Sequence, residues 1–344
     1  MGLRSLGLRA AYVAARASGV LARHESAMRS VVTILTYHRV LGDGDARAYP
    51  LPALAMPRTA FAAQLDWLSK RAAVRTLSRA LDELRGATPR SDRPTVCITF
   101  DDGYADNAEI AAPELEQRGM RATFFLASGF VGRAQLMWFD RIALAWSTPG
   151  AARARVLDAV RSLDAGARAS ESWSASRVLA VFKSLDPETR RRLVATVGTP
   201  GEPPATHRPM TPRQAAALAM SGHELGAHSV THELLPQLDD ARLQSELVLS
   251  KREVESWSGK PVGCFCYPNG DHDDRVVEAV RRAGFRYACT TRPGVSTTES
   301  DPLRLARRDV TSGRVGARGT GGGCSIVSFR AEISGLAERT RGGA

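Results

Sequence analysis

Residues 96–103 have the sequence VCITFDDG, in which a short apolar run ends at Phe100 and two aspartates and a glycine follow. β-Branched and aromatic residues in such a run predict a buried strand. Similar runs recur along the chain, and helical patterns lie between them. The predicted strands are 31–37, 96–100, 122–126, 223–227, 262–267 and 286–291. Strands that alternate with helices are typical of a parallel sheet with crossover helices, so the sequence predicts an α/β fold, a barrel of the β/α type.

The predicted helices carry apolar residues at a spacing near 3.6. They are 59–70, 107–118, 211–221, 239–257 and 274–283. From about 134 to 210 the helical pattern continues without a strand pattern, which predicts a helical insertion between two barrel strands. The barrel domain is therefore predicted over residues 31–335.

The two ends of the chain differ from the barrel in composition. Residues 1–30 mix arginines with apolar residues, a pattern compatible with a basic amphipathic helix on an anionic membrane surface. A plain helix packed on the barrel is the alternative. The glycine-rich residues 336–344 predict a flexible tail.

The chain of 344 residues carries 47 basic and 36 acidic residues, which gives a net charge of +11. Such a charge favours anionic partners. The arginines are scattered along the chain, however, so a solvated surface is the simpler interpretation, and nucleic acid is not expected as a partner. Net charge alone does not assign a function.

The cysteines and the N-terminus bear on cellular location. Five cysteines in no paired spacing favour free thiols in a reducing compartment. No apolar run approaches the roughly 18 residues that cross a bilayer, and arginines interrupt the N-terminus before a secretory apolar region can form. We therefore expect neither a signal peptide nor a transmembrane helix, and a cytoplasmic location with possible peripheral contact at the inner membrane face.

Polar residues follow four of the predicted strands. Asp101 and Asp102 follow 96–100, and the remaining strand ends are followed by His38, by His228 and by the turn 268–270. Because every strand of a parallel barrel delivers its last residues to the same face, we expect these groups to meet there.

His228 and His232 are four residues apart, so they share one face if the chain turns into a helix after the strand. Two imidazoles and one carboxylate form the ligand set of a catalytic zinc site with an open position. Adjacent residues that leave a strand point in different directions, so one aspartate can bind metal while the other accepts a proton from the metal-bound water. A capped or surface-exposed histidine pair is the structural alternative. His38 could protonate the leaving group.

Three segments together resemble the polysaccharide deacetylases, carbohydrate esterase family 4. They are Thr99–Gly103 (TFDDG), Gly222–His232 (GHELGAHSVTH) and Phe265–Gly270 (FCYPNG). The resemblance implies a distorted (β/α)7-type barrel of mostly parallel strands. It also implies roles for individual residues: Asp101 is the catalytic base, the backbone N–H of Asn269 is an oxyanion donor, and the ligands of a divalent metal, usually Zn²⁺ and sometimes Co²⁺ or Ni²⁺, are Asp102, His228 and His232.

The chain departs from the usual pattern of this family at several positions. The late Leu-x-His motif that supplies the general acid has no counterpart, since His272 is the last histidine. Tyr37-His38-Arg39-Val40 stands on the first strand instead, as in the permuted subgroup that resembles poly-N-acetylglucosamine deacetylases, which implies that His38 is the acid. Cys266 occupies the position of the arginine that orients the base. Candidate sugar-binding residues are Tyr267, Pro268, Tyr104 and Trp138, the last with a core aromatic as the alternative.

The expected function is a metal-dependent hydrolase that removes acetyl groups from N-acetylhexosamine residues of a polysaccharide, an oligosaccharide or a lipid-linked glycan. Two alternatives stay open. One is an O-acetyl esterase or a small-amide amidase on the same fold. The other is an inactive glycan-binding or membrane-associated protein, for which Cys266 is the best argument.

Overall fold

Seven parallel strands close into a barrel in the computed structural model, which describes residues 18–88, 90–163, 169–198, 204–310 and 325–338. The first strand pairs with both its neighbours, so the sheet has no open edge there. In spatial order the barrel strands are β1 (Val32–Tyr37), β5 (Thr95–Phe100), β6 (Thr123–Leu126), β7 (Glu224–Ala227), β8 (Cys264–Cys266), β9 (Tyr287–Pro293) and β10 (Leu305–Asp309). The predicted α/β barrel is confirmed.

Three further strands are short. Strand β4 (Ala73–Arg75) pairs with the first half of β5, whereas β6 pairs with the second half. Strands β2 (Arg39–Leu41) and β3 (Ala55–Pro57) form a separate parallel pair. All six predicted strands are present, although the one predicted at 262–267 is limited to β8.

Strand β10 was absent from the sequence prediction. Its sequence, LARRD, contains two consecutive arginines and lacks the apolar run used to find the other strands. Both arginines are nevertheless buried, with Arg307 2% and Arg308 7% exposed. The barrel therefore closes through a strand whose inward-facing side chains include a charged residue.

Helices surround the barrel. On the outside of the strands lie α3 (Arg58–Arg71), α4 (Leu77–Leu84), α5 (Ala112–Glu116), α10 (Pro212–Met220), α11 (Asp240–Ser258), α12 (Asp274–Arg282) and α13 (Ile326–Ile333), and α2 (Asp43–Ala48) lies between β2 and β3. Thr211 and Gln214 form the reciprocal hydrogen bonds of a capping box at the start of α10. The predicted helix at 107–118 instead starts with a π-helical turn over Asn107–Ala111.

Between β6 and β7 the described part of the chain contains helices in place of strands: α6 (Trp138–Ser147), α7 (Ala151–Arg161), α8 (Ala175–Ser184) and α9 (Pro187–Val197). Their apolar faces form a second core, separate from the barrel core, with Trp146 and Phe182 at its centre. Tyr49 and Leu51, which precede β3, pack into the same core. The insertion is thus a helical unit that leans on the segment between β2 and β3.

A buried polar network joins this insertion to the barrel. Arg39 on β2 donates from Nε to Asp106 Oδ2 at 2.8 Å and from NH1 to the Tyr49 hydroxyl at 2.7 Å. Its guanidinium lies 3.7 Å from the ring centroid of Tyr104. The hydroxyls of Tyr49 and Tyr104 in turn donate to the two carboxylate oxygens of Asp140 on α6, at 3.1 and 2.6 Å. Burial raises the pKa of Asp140 to about 6.

The described residues near the chain ends pack together. Leu21, on α1 (Val20–Ala27), is buried in one cluster with Leu336 and Ala337. Residues 336–338 of the predicted flexible tail are among the described residues: Leu336 and Ala337 pack against α1, and Glu338 forms an ion pair with Arg308 at 2.7 Å. Residues 339–344, and residues 1–17 of the predicted basic helix, lie outside the described residues. None of the described helices combines the length and apolar character needed to cross a membrane.

The Arg39 network leads to a prediction about stability. Replacement of Arg39 by Met leaves the Asp106 carboxylate buried without its cation, so we expect the free energy of unfolding to fall by about 3–5 kcal/mol. Urea denaturation followed by circular dichroism measures this change. Arg281→Met, which removes an exposed ion pair with Glu278, is the control and should cost less than about 1 kcal/mol. Equal losses in the two variants would contradict the assigned role of Arg39.

Candidate active site

A cavity of about 350 Å³ opens at the carboxyl ends of the barrel strands. Its floor contains the polar residues predicted at the strand ends: His38, Asp101, Asp102, His228, His232 and Asn269. Its walls are more apolar and come from the segment before β3, with Leu51 and Leu54, and from the insertion, with Phe139 and Leu179. The four predicted strand ends therefore do meet, and the insertion covers them.

The two aspartates after β5 point in different directions. Asp101 still belongs to the sheet, since its N–H donates to the Tyr37 carbonyl at 3.0 Å. Asp102 has a φ of 79° and Gly103 a φ of 87°, so the chain turns sharply after Asp101. Asp102 faces the two histidines, whereas Asp101 faces β10. The predicted division of labour between the carboxylates is compatible with this geometry.

Asp101 forms a bidentate ion pair with Arg307 on β10. The guanidinium donates to Oδ1 at 2.8 Å and to Oδ2 at 2.7 Å. The two side chains are buried, with 3% of Asp101 and 2% of Arg307 exposed. Burial is the largest single influence and raises the pKa of Asp101, but the charge and hydrogen bonds of Arg307, with smaller contributions from His228 and His38, together outweigh it and leave that pKa below its ordinary value. Asp101 is therefore an ionised carboxylate at neutral pH.

Arg307 explains the cysteine at the position of the family's arginine. Cys266 Sγ lies 3.1 Å from Arg307 NH2 and 3.6 Å from Asp101 Oδ2. Burial raises the pKa of Cys266 to about 11, so the thiol is neutral at pH 7. A guanidinium from β10 thus reaches Asp101 beside a small neutral side chain, and Cys266 leaves the space that the guanidinium needs.

The two histidines lie on a loop and not on a helix. Residues 228–232 have no helical structure, and Ser229 and His232 have φ values of 61° and 56°. The prediction that a helix brings the two imidazoles together is therefore wrong, because both histidines lie on a loop. The loop curls because Ser128 and Gly129 donate to its carbonyls at 3.0 and 2.8 Å, and the two rings still meet with centroids 4.8 Å apart.

The donor atoms of this loop fit a metal ion. His228 Nδ1 lies 2.6 Å from the Cys266 carbonyl, which can only accept, so Nδ1 carries the proton and Nε2 faces Asp102. The distances from Asp102 Oδ1 to Nε2 of His228 and of His232 are 3.5 and 3.4 Å. Donors about 2.1 Å from a tetrahedral zinc ion lie roughly 3.4 Å apart. Burial lowers the pKa of His232 to about 3, so its ring is neutral.

Glu246 on α11 holds the histidine loop in place. Its Oε2 accepts from the N–H groups of Val230 and Thr231 at 2.8 and 2.9 Å, and its Oε1 accepts from the Thr231 hydroxyl at 2.6 Å. These residues lie between the two histidines. The carboxylate therefore supports the ligand geometry without contact with the imidazoles, which is the usual task of outer-shell residues.

His38 lies at the turn between β1 and β2. The Asn107 side chain donates to the His38 carbonyl at 2.8 Å. The N–H of Val40, two residues after His38, donates to Asp106 Oδ1 at 2.9 Å. The imidazole lines the cavity, with Nε2 at 3.9 Å from Asp101 Oδ2. This separation is too long for a direct hydrogen bond, so the ring and the carboxylate are free to act on different atoms of one ligand.

Asn269 lies in a tight turn after β8. Its φ is 58° and that of Gly270 is 79°. Within the turn, the N–H groups of Gly270 and Asp271 donate to the carbonyls of Tyr267 and Pro268. The N–H of Asn269 takes no part in these turn hydrogen bonds. A Cβ on Gly270 would lie 2.1 Å from Thr291 Oγ1, so only glycine allows this close approach of the turn to β9.

The four candidate sugar-binding residues differ in position. Tyr267 lines the cavity, but its hydroxyl donates to the Leu303 carbonyl at 2.8 Å. Pro268 is buried in the turn. Tyr104 is only 1% exposed and belongs to the Arg39 network, so it lies beneath the site. Trp138 is half-buried and donates to the His232 carbonyl at 3.3 Å, which places it behind the histidine loop.

Three site residues were missing from the sequence prediction: Arg307, Glu246 and Lys183. Lys183 on α8 lines the cavity and donates to Asn269 Oδ1. All three lie on elements without a recognisable motif. A partial signal exists for Arg307, which follows Leu303 and Leu305 at period two and so falls on the inward face of a strand.

We expect Glu246→Ala to weaken zinc binding by about 10- to 100-fold, because the loop between the two ligand histidines loses three hydrogen bonds. Competition with a chelating dye measures the affinity. Glu246→Gln keeps the shape and one acceptor oxygen, which can still accept from the N–H groups of Val230 and Thr231, so its affinity should lie closer to that of the wild type. Glu253→Ala, two turns further along α11, is the control. An unchanged affinity in Glu246→Ala would refute the supporting role.

The chain is similar in sequence to known proteins. The family model described as "Polysaccharide deacetylase" matches residues 88–288, more than half of the chain. YxkH of Bacillus subtilis (strain 168), whose name places it among polysaccharide deacetylases, is 20% identical over 284 residues, which cover 83% of this chain and 73% of YxkH.

Two solved structures share the fold. The Streptococcus pyogenes deacetylase PplD in complex with acetate has a TM-score of 0.55 and 16% identity, with 83% of this chain and 94% of PplD covered. IcaB from Ammonifex degensii has a TM-score of 0.55 and 19% identity, with 88% of this chain and 97% of IcaB covered. With the family match over residues 88–288, these findings lead to one conclusion: the chain belongs to the polysaccharide deacetylase family.

Proposed function

We propose that this protein is a metal-dependent hydrolase that removes N-linked acetyl groups from N-acetylhexosamine residues of a polysaccharide, an oligosaccharide or a lipid-linked glycan. Family membership supports a hydrolase of acetylated carbohydrate. The observation that carries the proposal is the buried Asp101–Arg307 ion pair beside the group of Asp102, His228 and His232. A carboxylate base and a metal-ligand set in one cavity are the two parts that hydrolysis of an amide needs.

The metal in this proposal is zinc, with cobalt or nickel as functional substitutes. Asp102, His228 and His232 would hold it, since two imidazoles and one carboxylate match catalytic zinc sites. When bound, the ion supplies a Lewis acid that polarises the acetyl carbonyl and makes water more acidic. This ligand set leaves Asp101 free for proton transfer.

Three residues of this chain then carry out the proton transfers and stabilise the developing negative charge. Asp101 accepts the proton of the attacking water. The N–H of Asn269 donates to the acetyl oxygen as negative charge develops on it. His38, which lies in the same cavity at 3.9 Å from Asp101, gives a proton to the departing nitrogen. The products are acetate and a free amine.

Arg307 weakens the argument for an inactive protein. That alternative rested on Cys266, which stands where the family's arginine is expected. Because Arg307 pairs with Asp101 from another strand, the base has its guanidinium partner. Esters and small amides are compared with N-acetyl sugars in the first experiment below.

The proposed partner is the glycan or lipid-linked substrate, contacted by Tyr267 on the cavity wall. The cytoplasmic location stays a prediction. The membrane contact through residues 1–30 also stays a prediction, since residues 1–17 are outside the described part of the chain.

Replacement of Asp101 by Asn removes the base and keeps its size. We expect acetate release from N-acetylglucosamine oligomers to fall at least about 100-fold, while zinc content stays at the wild-type level because the ligand set is intact. Glu109→Gln, at an exposed carboxylate outside the cavity, is the control. Faster release from O-acetylated sugars or small amides would favour the esterase or amidase alternative, and substantial activity of Asp101→Asn would contradict the assigned base.

Arg307→Met tests the ion pair through the pH profile. Without the guanidinium, burial is the main influence on the pKa of Asp101, and burial raises that pKa. More of the base is therefore protonated at a given acidic pH. The acid limb of the kcat/KM profile should therefore move to higher pH. Arg307→Lys keeps a positive charge and should move the limb less. An acid limb that stays in place in Arg307→Met would show that Arg307 does not control the ionisation of the base.

A further inference from the structure

Lys183 places a positive charge in the cavity that the mechanism above does not use. It lies near the end of α8, on the helical insertion, and its side chain lines the cavity opposite the barrel strands. The ammonium donates to the side-chain oxygen of Asn269. Its charge acts on both Asp102 and His232, so it lies close to the proposed metal ligands.

The charge of Lys183 is not balanced by an ion pair within the described residues. Its hydrogen-bond acceptor there is the neutral amide of Asn269. Asp271 and Asp102 attract it from a longer distance. The side chain is partly buried, and a cation held away from water without an anionic partner is costly.

The carboxylates in and beside the cavity already have other partners. Asp101 is paired with Arg307 through both oxygens. Asp102 faces His228 and His232 and is a ligand in the proposed metal site. Asp271, beside the cavity, accepts from Asn269 Nδ2 at 2.8 Å. An incoming anion would therefore give Lys183 the direct ion pair that these carboxylates do not form with it.

From this arrangement we propose that Lys183 forms a subsite for an anionic substituent, a phosphate or a carboxylate, on the acetylated sugar. The inference rests on the proposed function and names the class of its substrate. Asn269 sets the distance between the acetyl group and the anion, because its backbone N–H donates to the acetyl oxygen in the proposed mechanism while its side chain contacts the Lys183 ammonium. The anion thus belongs to the same sugar as the acetamido group or to the sugar next to it.

The insertion gives this subsite its specificity. Apart from Lys183, the residues that α8 contributes to the cavity are Ser176, Leu179 and Ala180, none of which carries a charge. A single ammonium on an otherwise uncharged wall favours substrates that carry an anionic group next to Lys183. The barrel strands therefore supply the chemistry, and the insertion selects the substrate.

The test compares kcat/KM for three substrates that differ in charge: N-acetylglucosamine, N-acetylglucosamine 1-phosphate and N-acetylmuramic acid, which carries a carboxylate. The wild type should prefer at least one anionic sugar by about 10-fold or more, as expected for a charge-assisted hydrogen bond. Lys183→Met should lose that preference and change the neutral substrate less than about 3-fold. Lys183→Arg should keep most of the preference, and the phosphate and carboxylate substrates distinguish the two sources of the anion.

One control variant shows whether the effect belongs to the lysine in the cavity. Lys260→Met removes an exposed lysine outside the cavity and should behave as the wild type. A wild type without anionic preference, or a Lys183→Met variant that loses activity equally on all three sugars, would overturn the proposal.

Failure of the subsite is distinguishable from failure of the proposed function. Calorimetric binding of N-acetylglucosamine 1-phosphate and of N-acetylmuramic acid to the zinc-loaded protein needs no turnover. If the protein releases no acetate but binds one of the anionic sugars at least about 10-fold more tightly than Lys183→Met does, the deacetylase proposal fails and the subsite stands. If acetate is released and neither sugar is bound more tightly by the wild type, the subsite fails alone.

Discussion

The site depends on one buried ion pair, between Asp101 at the end of β5 and Arg307 on β10. A carboxylate removed from water is costly unless a cation and hydrogen bonds replace its hydration. Strands β5 and β10 are not neighbours, since β1 lies between them and pairs with both. The guanidinium therefore reaches the base only because the barrel is closed. Closure of the barrel and ionisation of the base are linked.

Around this pair the fold divides its tasks between two units. The barrel strands end in Asp101, in the group of Asp102, His228 and His232, and in the Asn269 turn, which are held by backbone hydrogen bonds and by supporting contacts such as those of Glu246. The helical insertion has its own core and provides an apolar wall with one lysine. The buried network of Arg39, Tyr104 and Asp140 fixes the insertion relative to the barrel. Arg39, the residue after His38, thus connects the end of the barrel to the helical wall of the cavity.

Most of the barrel could be predicted because its strands are apolar runs that end in polar residues, as after Phe100 and Ala227. Strand β10 was missed because two of its buried residues are arginines, and the burial of Arg307 depends on Asp101, more than two hundred residues away. The histidine loop shows a different limit. The four-residue spacing singled out His228 and His232 as a pair. Their rings lie together because of positive φ angles and hydrogen bonds from Ser128 and Gly129, and no local pattern encodes these contacts. Lys183 lies on a helix whose orientation only the tertiary structure defines.

In the proposed mechanism Asp102 binds the metal ion while Asp101 stays free as the base. A crystal structure of the zinc-loaded protein, with the zinc located by its anomalous scattering, distinguishes these roles. We expect one zinc ion bound by Asp102, His228 and His232, with the Asp101–Arg307 pair intact. A second group, Asp101, His228 and Cys266, also has metal-binding donors. Zinc bound by that second group would occupy Asp101 and rule it out as the base.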